Sequence, residues 1–107
     1  MRHEIILAPV AVSQLRALRA HIGKEVEDAI ERHLRFEPRK VSKSRIKRLR
    51  GLDRPQFRLR VGEVRVFYDI EEERVEVLAV VNKAEAAKWL EAEGRRTNES
   101  PPGPGEG

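Results

Sequence analysis

The sequence predicts an α+β domain: an N-terminal strand, a helical hairpin, an antiparallel β-meander of three to four strands and a C-terminal helix. Three observations carry that prediction. Apolar residues recur at helical spacing between residues 10 and 36, they alternate with a period of two between 57 and 81, and a Gly-Glu pair divides the alternating stretch. The alternating stretch also overlaps the densest charge in the chain. From Arg39 to Arg65 there are eleven Lys or Arg against two acids, a net of +9, so the other 80 residues carry −5 of a total of +4. Cations clustered on a sheet focus a field that scattered ones do not, which makes this region a candidate phosphate-binding surface.

Taken in order, residues 3–8 read as a short first strand. Pro9 suits a first helical turn, where a missing N–H costs nothing. Ala11, Leu15, Leu18 and Ile22 then predict an amphipathic helix over 10–21 that ends at Gly23. Val26, Ala29, Ile30, His33 and Leu34 repeat the pattern over 24–36, and Pro38 ends it. The short link makes the two helices antiparallel neighbours. Residues 39–45 are basic and aperiodic, a loop, and 46–50 form a short edge strand before Gly51. Phe57, Leu59 and Val61 alternate with Arg58 and Arg60, and Val64, Val66, Tyr68 and Ile70 with Arg65, Phe67 and Asp69. Glu71 to Glu73 form a second turn, 74–81 a valine-rich strand, and 83–93 a helix that stops at Gly94. Residues 1–94 therefore make one domain, and 95–107, rich in Pro and Gly, a tail expected to be disordered.

A Gly62-Glu63 turn of type II′ fixes the register of the hairpin. Val61 faces Val64, Arg60 faces Arg65, Leu59 faces Val66, Arg58 faces Phe67 and Phe57 faces Tyr68. One side is apolar and belongs under the helices. The other sets Arg60 against Arg65 with Arg58 alongside. Like charges opposed on a sheet are unfavourable by up to ~1 kcal/mol. Either an anion lies between them, which arginine can grip bidentately, or they pair with Asp69, Glu63 or Glu76.

Composition narrows the function classes. With 39% hydrophobic and 37% charged residues in 107, the chain reads as one soluble domain. No apolar run approaches the ~20 residues of a membrane span, the N-terminus lacks a signal peptide, and zero cysteines fit a cytoplasmic address. No membrane partner is expected. A pI near 9.8 favours an acidic partner such as nucleic acid. His3, His21 and His33 are not at metal-ligand spacing, no Gly-rich phosphate loop is present, and no metal or cofactor is expected. Trp89 reads either as core or as a base-stacking platform.

These residues carry a resemblance. Leu49-Arg-Gly, then Phe57-Arg-Leu-Arg-Val-Gly-Glu-Val-Arg-Val-Phe-Tyr68, then Val75-Glu-Val-Leu-Ala-Val-Val81, resemble the RelE/ParE superfamily of toxins from type II toxin–antitoxin systems. The similarity covers about residues 3–93 and includes the strand and helical hairpin. It implies a RelE-like fold, a cytoplasmic toxin and a cognate antitoxin protein as partner. Members similar to RelE are ribosome-dependent mRNA endoribonucleases (mRNA interferases) that inhibit translation, with the ribosome and mRNA as partners and no metal. ParE-like members inhibit DNA gyrase instead, and a non-catalytic RNA- or antitoxin-binding homologue would keep the fold alone. By resemblance Arg58, Arg60 and Arg65 match the basic strand residues of the RelE site. The C-terminal pattern departs: Asn82-Lys83 and Trp89-Leu90 stand where a basic pair and a later tyrosine are usual. Lys83 is the candidate fourth catalytic residue, and Lys43, Arg45, Lys47, Arg48, Arg50 and Trp89 are the candidate RNA-binding residues.

Overall fold

The structure, a computed structural model, describes residues 2–96. The chain runs β1 (Glu4–Leu7), α1 (Pro9–Arg16), α2 (Ala20–Leu34), β2 (Ile46–Arg48), β3 (Leu52–Arg54), β4 (Phe57–Val61), β5 (Val64–Glu71), β6 (Arg74–Asn82), α3 (Lys83–Glu93) and β7 (Arg95–Arg96). Five strands form one sheet in the order β1-β6-β5-β4-β2, and β3 pairs with β7 in a separate ribbon. Among the described residues no helix is long and apolar enough to cross a membrane.

The sequence's period of two decides the centre of the sheet. β4 and β5 pair antiparallel in the register expected from the turn, from Phe57 opposite Tyr68 to Val61 opposite Val64. Gly62 has φ +58, and it alone of the two turn residues has a positive φ, as a II′ turn needs. The apolar side of this hairpin (Phe57, Leu59, Val61, Val64, Val66, Tyr68) packs with Ala11, Val26, Ala29, Ile30 and Leu34 of the helices in one core. Tyr68 lies wholly inside it, stacked on Phe57, and its hydroxyl donates to the Pro38 carbonyl at 2.7 Å. That bond satisfies the phenol's polar tip and ties the chain after α2 to the central strand.

β1 joins β6 parallel, with Glu4 opposite Arg74 and Leu7 opposite Val77. It is shorter than β6, so part of that edge lies beyond it. Gln14 of α1 covers the gap: its side-chain oxygen accepts the Val80 N–H at 2.7 Å. At the other end of β1, His3 and Arg35 exchange hydrogen bonds. The His3 N–H donates to the Arg35 carbonyl (2.7 Å) and Arg35 Nη1 to the His3 carbonyl (3.1 Å). Between β5 and β6 the register shifts at Phe67/Tyr68, opposite Ala79 and Val77, which leaves Leu78 as the extra residue of a bulge.

Two boundaries differ from expectation. The first helix ends at Arg16, and Gly23 lies inside α2, where its N–H bonds back to the Arg19 carbonyl at 2.8 Å. The break falls at 17–19, where no Gly or Pro signals it, while the apolar spacing Ala11, Leu15, Leu18, Ile22 continues across it as though one helix ran through. The tail expected from 95 begins with Arg95–Arg96 paired to β3. That pairing is made by main chain alone and leaves no alternating pattern to read. The rest of that stretch, 97–107, lies outside the described residues.

A Cβ at Gly23 would sit 3.6 Å from the Leu15 carbonyl oxygen and 3.9 Å from Leu18 Cβ, ordinary contacts. Gly23→Ala should therefore raise stability by about 0.5–1 kcal/mol, the usual gain for alanine over glycine inside a helix. Urea denaturation measures it, and a loss of stability would place Gly23 back in a linker.

Candidate functional site

The side of the β4–β5 hairpin turned away from α1 and α2 carries its charge in two cross-strand rows. One runs Lys47, Arg58, Phe67, Ala79 across β2, β4, β5 and β6. The next runs Arg60, Arg65, Val81, with the Arg45 carbonyl accepting the Arg60 N–H at 2.8 Å beside it. Lys83 opens α3 at the same end, its N–H donating to the Glu63 carbonyl at 2.7 Å. The three candidate arginines and Lys83 are thus brought to one end of one face.

The arginines do different things there. Arg65 is buried, and its Nη1 donates to the carbonyls of Gly62 (2.9 Å) and Val64 (3.1 Å), so it braces the turn that set the register. Arg60 is exposed. Arg58 is half-buried, and its Nε is buried with no hydrogen-bond partner. Burial first, then the charges of Arg65 and Arg60, hold its pKa below the ordinary arginine value. An unmet buried donor costs about 1–3 kcal/mol. An anion over the outer nitrogens of Arg58 and Arg60 would reverse the repulsion between them.

No carboxylate does that here. Asp69 and Glu76, expected as possible partners, are both taken by Arg54: its Nε lies 3.2 Å from Asp69 Oδ2 and its Nη2 3.2 Å from Glu76 Oε1. They face each other across β5 and β6 at the far end of the sheet, beside a cavity of about 490 Å³ also lined by Arg74 and Arg95. Asp69 further accepts the Gln56 N–H at 2.7 Å. Burial nonetheless outweighs these contacts and raises its pKa above the usual aspartate value. Among the described residues Arg58, Arg60, Arg65, Lys47 and Glu63 make no ion pair.

The remaining candidates disperse. Lys43 and Arg45 are exposed in the loop before β2, and Lys47 lies on the arginine face. Arg48 lies on the opposite face, its guanidinium 5.2 Å from the centre of the Phe57 ring. Arg50 lines a separate groove against α3 with Leu52, Ala84 and Lys88. Trp89 stacks on Phe67 at 5.1 Å and 6°, which makes it the packing contact that seats α3 on the sheet. The part left open lines a groove with Val10, Leu78 and Glu93. Tyr68 is on the core side, its pKa raised by burial, and moves no proton at the arginine face. The two rows contain no His, Tyr or carboxylate; the nearest acid along the hairpin is Glu63, exposed in the turn. Among the described residues no cluster of His, Cys, Asp or Glu could hold a metal ion. Arg54, with its two carboxylates, was missed in the sequence because nothing local links residue 54 to 69 and 76.

Residues 5–87 match the family model described as the ParE toxin of a type II toxin–antitoxin system, parDE. No curated protein sequence matches the chain. Among solved structures, the toxin–antitoxin complex RelBE2 of Mycobacterium tuberculosis is similar at 25% identity and TM-score 0.62, over 77% of this chain and 99% of that one. The RelB–RelE complex of Methanococcus jannaschii is similar in fold at 20% identity and TM-score 0.61, over 79% and 98%. A double mutant of the toxin RelE of E. coli in the free state is likewise similar in fold, at 18% and 0.54, over 85% and 93%.

Two predictions follow from the charges of this sheet. Arg58→Met removes a crowded, partly desolvated guanidinium and should raise the thermal midpoint by roughly 2–5 °C, read by calorimetry. Because the folded Asp69 has a raised pKa, the native state binds the extra proton, and stability falls as pH rises from the unfolded value of 3.8 through the folded one. Asp69→Asn should lack that fall, so the stability of the native protein relative to the variant should be greatest in acid. Parallel pH profiles from urea denaturation would contradict it.

Proposed function

The chain belongs to the ParE toxin family of type II toxin–antitoxin systems, and on the chemistry of its sheet, which the family alone does not supply, we propose that it is a toxin that holds the RNA backbone on its Arg58–Arg60 face and cleaves mRNA on the ribosome. One observation carries the reading: a half-buried, crowded arginine next to an exposed unpaired arginine, on a face whose acids, Asp69 and Glu76, are both held by Arg54. In this reading the 2′-hydroxyl gives its proton to water and attacks the adjacent phosphorus, the P–O5′ bond breaks to leave a 2′,3′-cyclic phosphate and a 5′-hydroxyl protonated by water, and the arginines stabilise the charge that builds on the non-bridging oxygens. Arg65 acts by bracing the turn, and Lys83 lends a point charge from the start of α3. Lys43, Arg45 and Lys47 lengthen the basic track. A cognate antitoxin with an acidic segment would cover the same face and so exclude RNA, with binding that weakens in salt. The complexes among the similar structures support a partner of that kind.

A second reading, inhibition of DNA gyrase, is favoured by the ParE family match and by the site itself: the two rows hold no proton acceptor, and a binding inhibitor requires none. The two separate on induction of the toxin. Primer extension on mRNA should show new cleavage ends, and Arg60→Ala, which removes an exposed unpaired side chain, should reduce them by ~10²-fold or more without loss of fold. Intact mRNA together with loss of DNA supercoiling would replace the ribonuclease reading with gyrase inhibition.

A further inference from the structure

On the helix side of the β2 edge, α2 and the loop after it form an open cleft of about 280 Å³, lined by Arg32, His33, Glu37, Lys40, Ser42 and Arg45. Its charged groups are three cations against one acid, a net of +2 with His33 neutral. Glu37 and Lys40 form an exposed pair at 3.7 Å, which screens little else. Among the described residues neither Arg32 nor Arg45 has an ion pair.

Ser42 adds a directed donor. Its Oγ accepts the N–H groups of Arg45 (3.0 Å) and Ile46 (3.3 Å), and its own N–H donates to the Ile46 carbonyl at 3.0 Å. A hydroxyl with two lone pairs engaged keeps its hydrogen to give. His33 stands among these groups with its pKa below the ordinary value, lowered by burial first and then by Arg45 and Arg32.

We propose that this cavity is a second oxyanion site, which takes a backbone phosphate of the RNA strand farther along from the part held on the Arg58–Arg60 face, where the strand passes round the β2 edge. The assignment to RNA rests on the reading of that face given above. The cavity is roomy enough for a tetrahedral group, and the ligands around it are the types that bind one: two separate guanidiniums, an ammonium, a hydroxyl and an imidazole. Arg45 joins the two sites, since its carbonyl bonds to the N–H of Arg60 one strand away. Binding carries a proton with it. An oxyanion offsets Arg32 and Arg45, favours the imidazolium of His33, and is in turn held more tightly by it, as linkage requires. A phosphodiester keeps its charge across this range, so RNA affinity rises as pH falls through the His33 transition.

The test uses the whole chain with sulfate as probe, because sulfate remains a dianion throughout. NMR follows the His33 ring protons between about pH 5 and 8 in sodium sulfate and in sodium chloride of equal ionic strength. The His33 pKa should be higher in sulfate by roughly half a unit or more. Arg32→Gln should abolish that difference while raising the value in chloride, since a like charge has gone. Arg60→Ala should leave the difference intact. Equal values in the two salts for the native chain, or loss of the difference in Arg60→Ala, would overturn the site. For the RNA assignment, anisotropy of a labelled single-stranded oligoribonucleotide should show Arg32→Gln weakening binding several-fold and lowering the salt slope by about 0.7, the value for one phosphate contact. Unchanged affinity and slope, alongside a lost sulfate response, would leave a site for free oxyanions and overturn the backbone assignment. Failure of mRNA cleavage bears on the strand face alone and does not alter the sulfate result.

Discussion

Everything positioned on this sheet depends on the register of one hairpin. Gly62 at φ +58 lets Val64 return directly opposite Val61, and from that pairing every side chain of β4 and β5 is assigned to a face. A slip of one residue would move Tyr68 and Leu59 into water and the arginines into the core. Arg65 secures the same register from the other side, by bonding the carbonyls of Gly62 and Val64. The residue that most resembles a functional cation is thereby also part of the scaffold. The turn, the core and the charged face are one construction, and none of them can change alone.

The charge on that face is tolerated because the sheet separates its ions by position. Arg54 draws Asp69 and Glu76 to the end next to β1, where all three are partly shielded from water. The other end receives Lys47, Arg58, Arg60 and Arg65 with no acid in their rows. Pairing within the chain would have been the more stable arrangement, and its absence leaves Arg58 with a donor unmet. Local conflict of this kind, a buried polar group without its partner, is expected at functional or strained sites. Phe67 and Trp89 add a rigid apolar boundary beside it, so α3 is held to the sheet by a stack rather than by a buried face of its own.

Much of this is legible in the sequence. The strands, the turn type, the pairing of Arg60 with Arg65 and the core side of Tyr68 follow from a period of two and one glycine. Helix boundaries were less legible. The gap at 17–19 carries no breaker, and Gly23, which looks like one, is held inside α2 by the bond from its N–H to the Arg19 carbonyl. The ribbon of β3 and β7 was invisible because its bonds are between main chains, which have no side-chain signature. Trp89 could be read as core or platform, and its stack on Phe67 decides for packing.

The sequence by itself determined which residues share a face, because alternation and turn geometry are local and the backbone propagates them without help. It also determined that the chain's positive charge is concentrated on and around that hairpin. Only the tertiary structure decided what each charge does. Whether Arg58 is paired depends on where Asp69 and Glu76 are drawn by a residue four positions before it, and whether Arg65 faces solvent depends on the turn folding over it. The cavity at His33 exists because a helix and a later loop meet at the edge of β2. Electrostatic partners are settled by distances between segments far apart in the chain, and those distances are the product of packing.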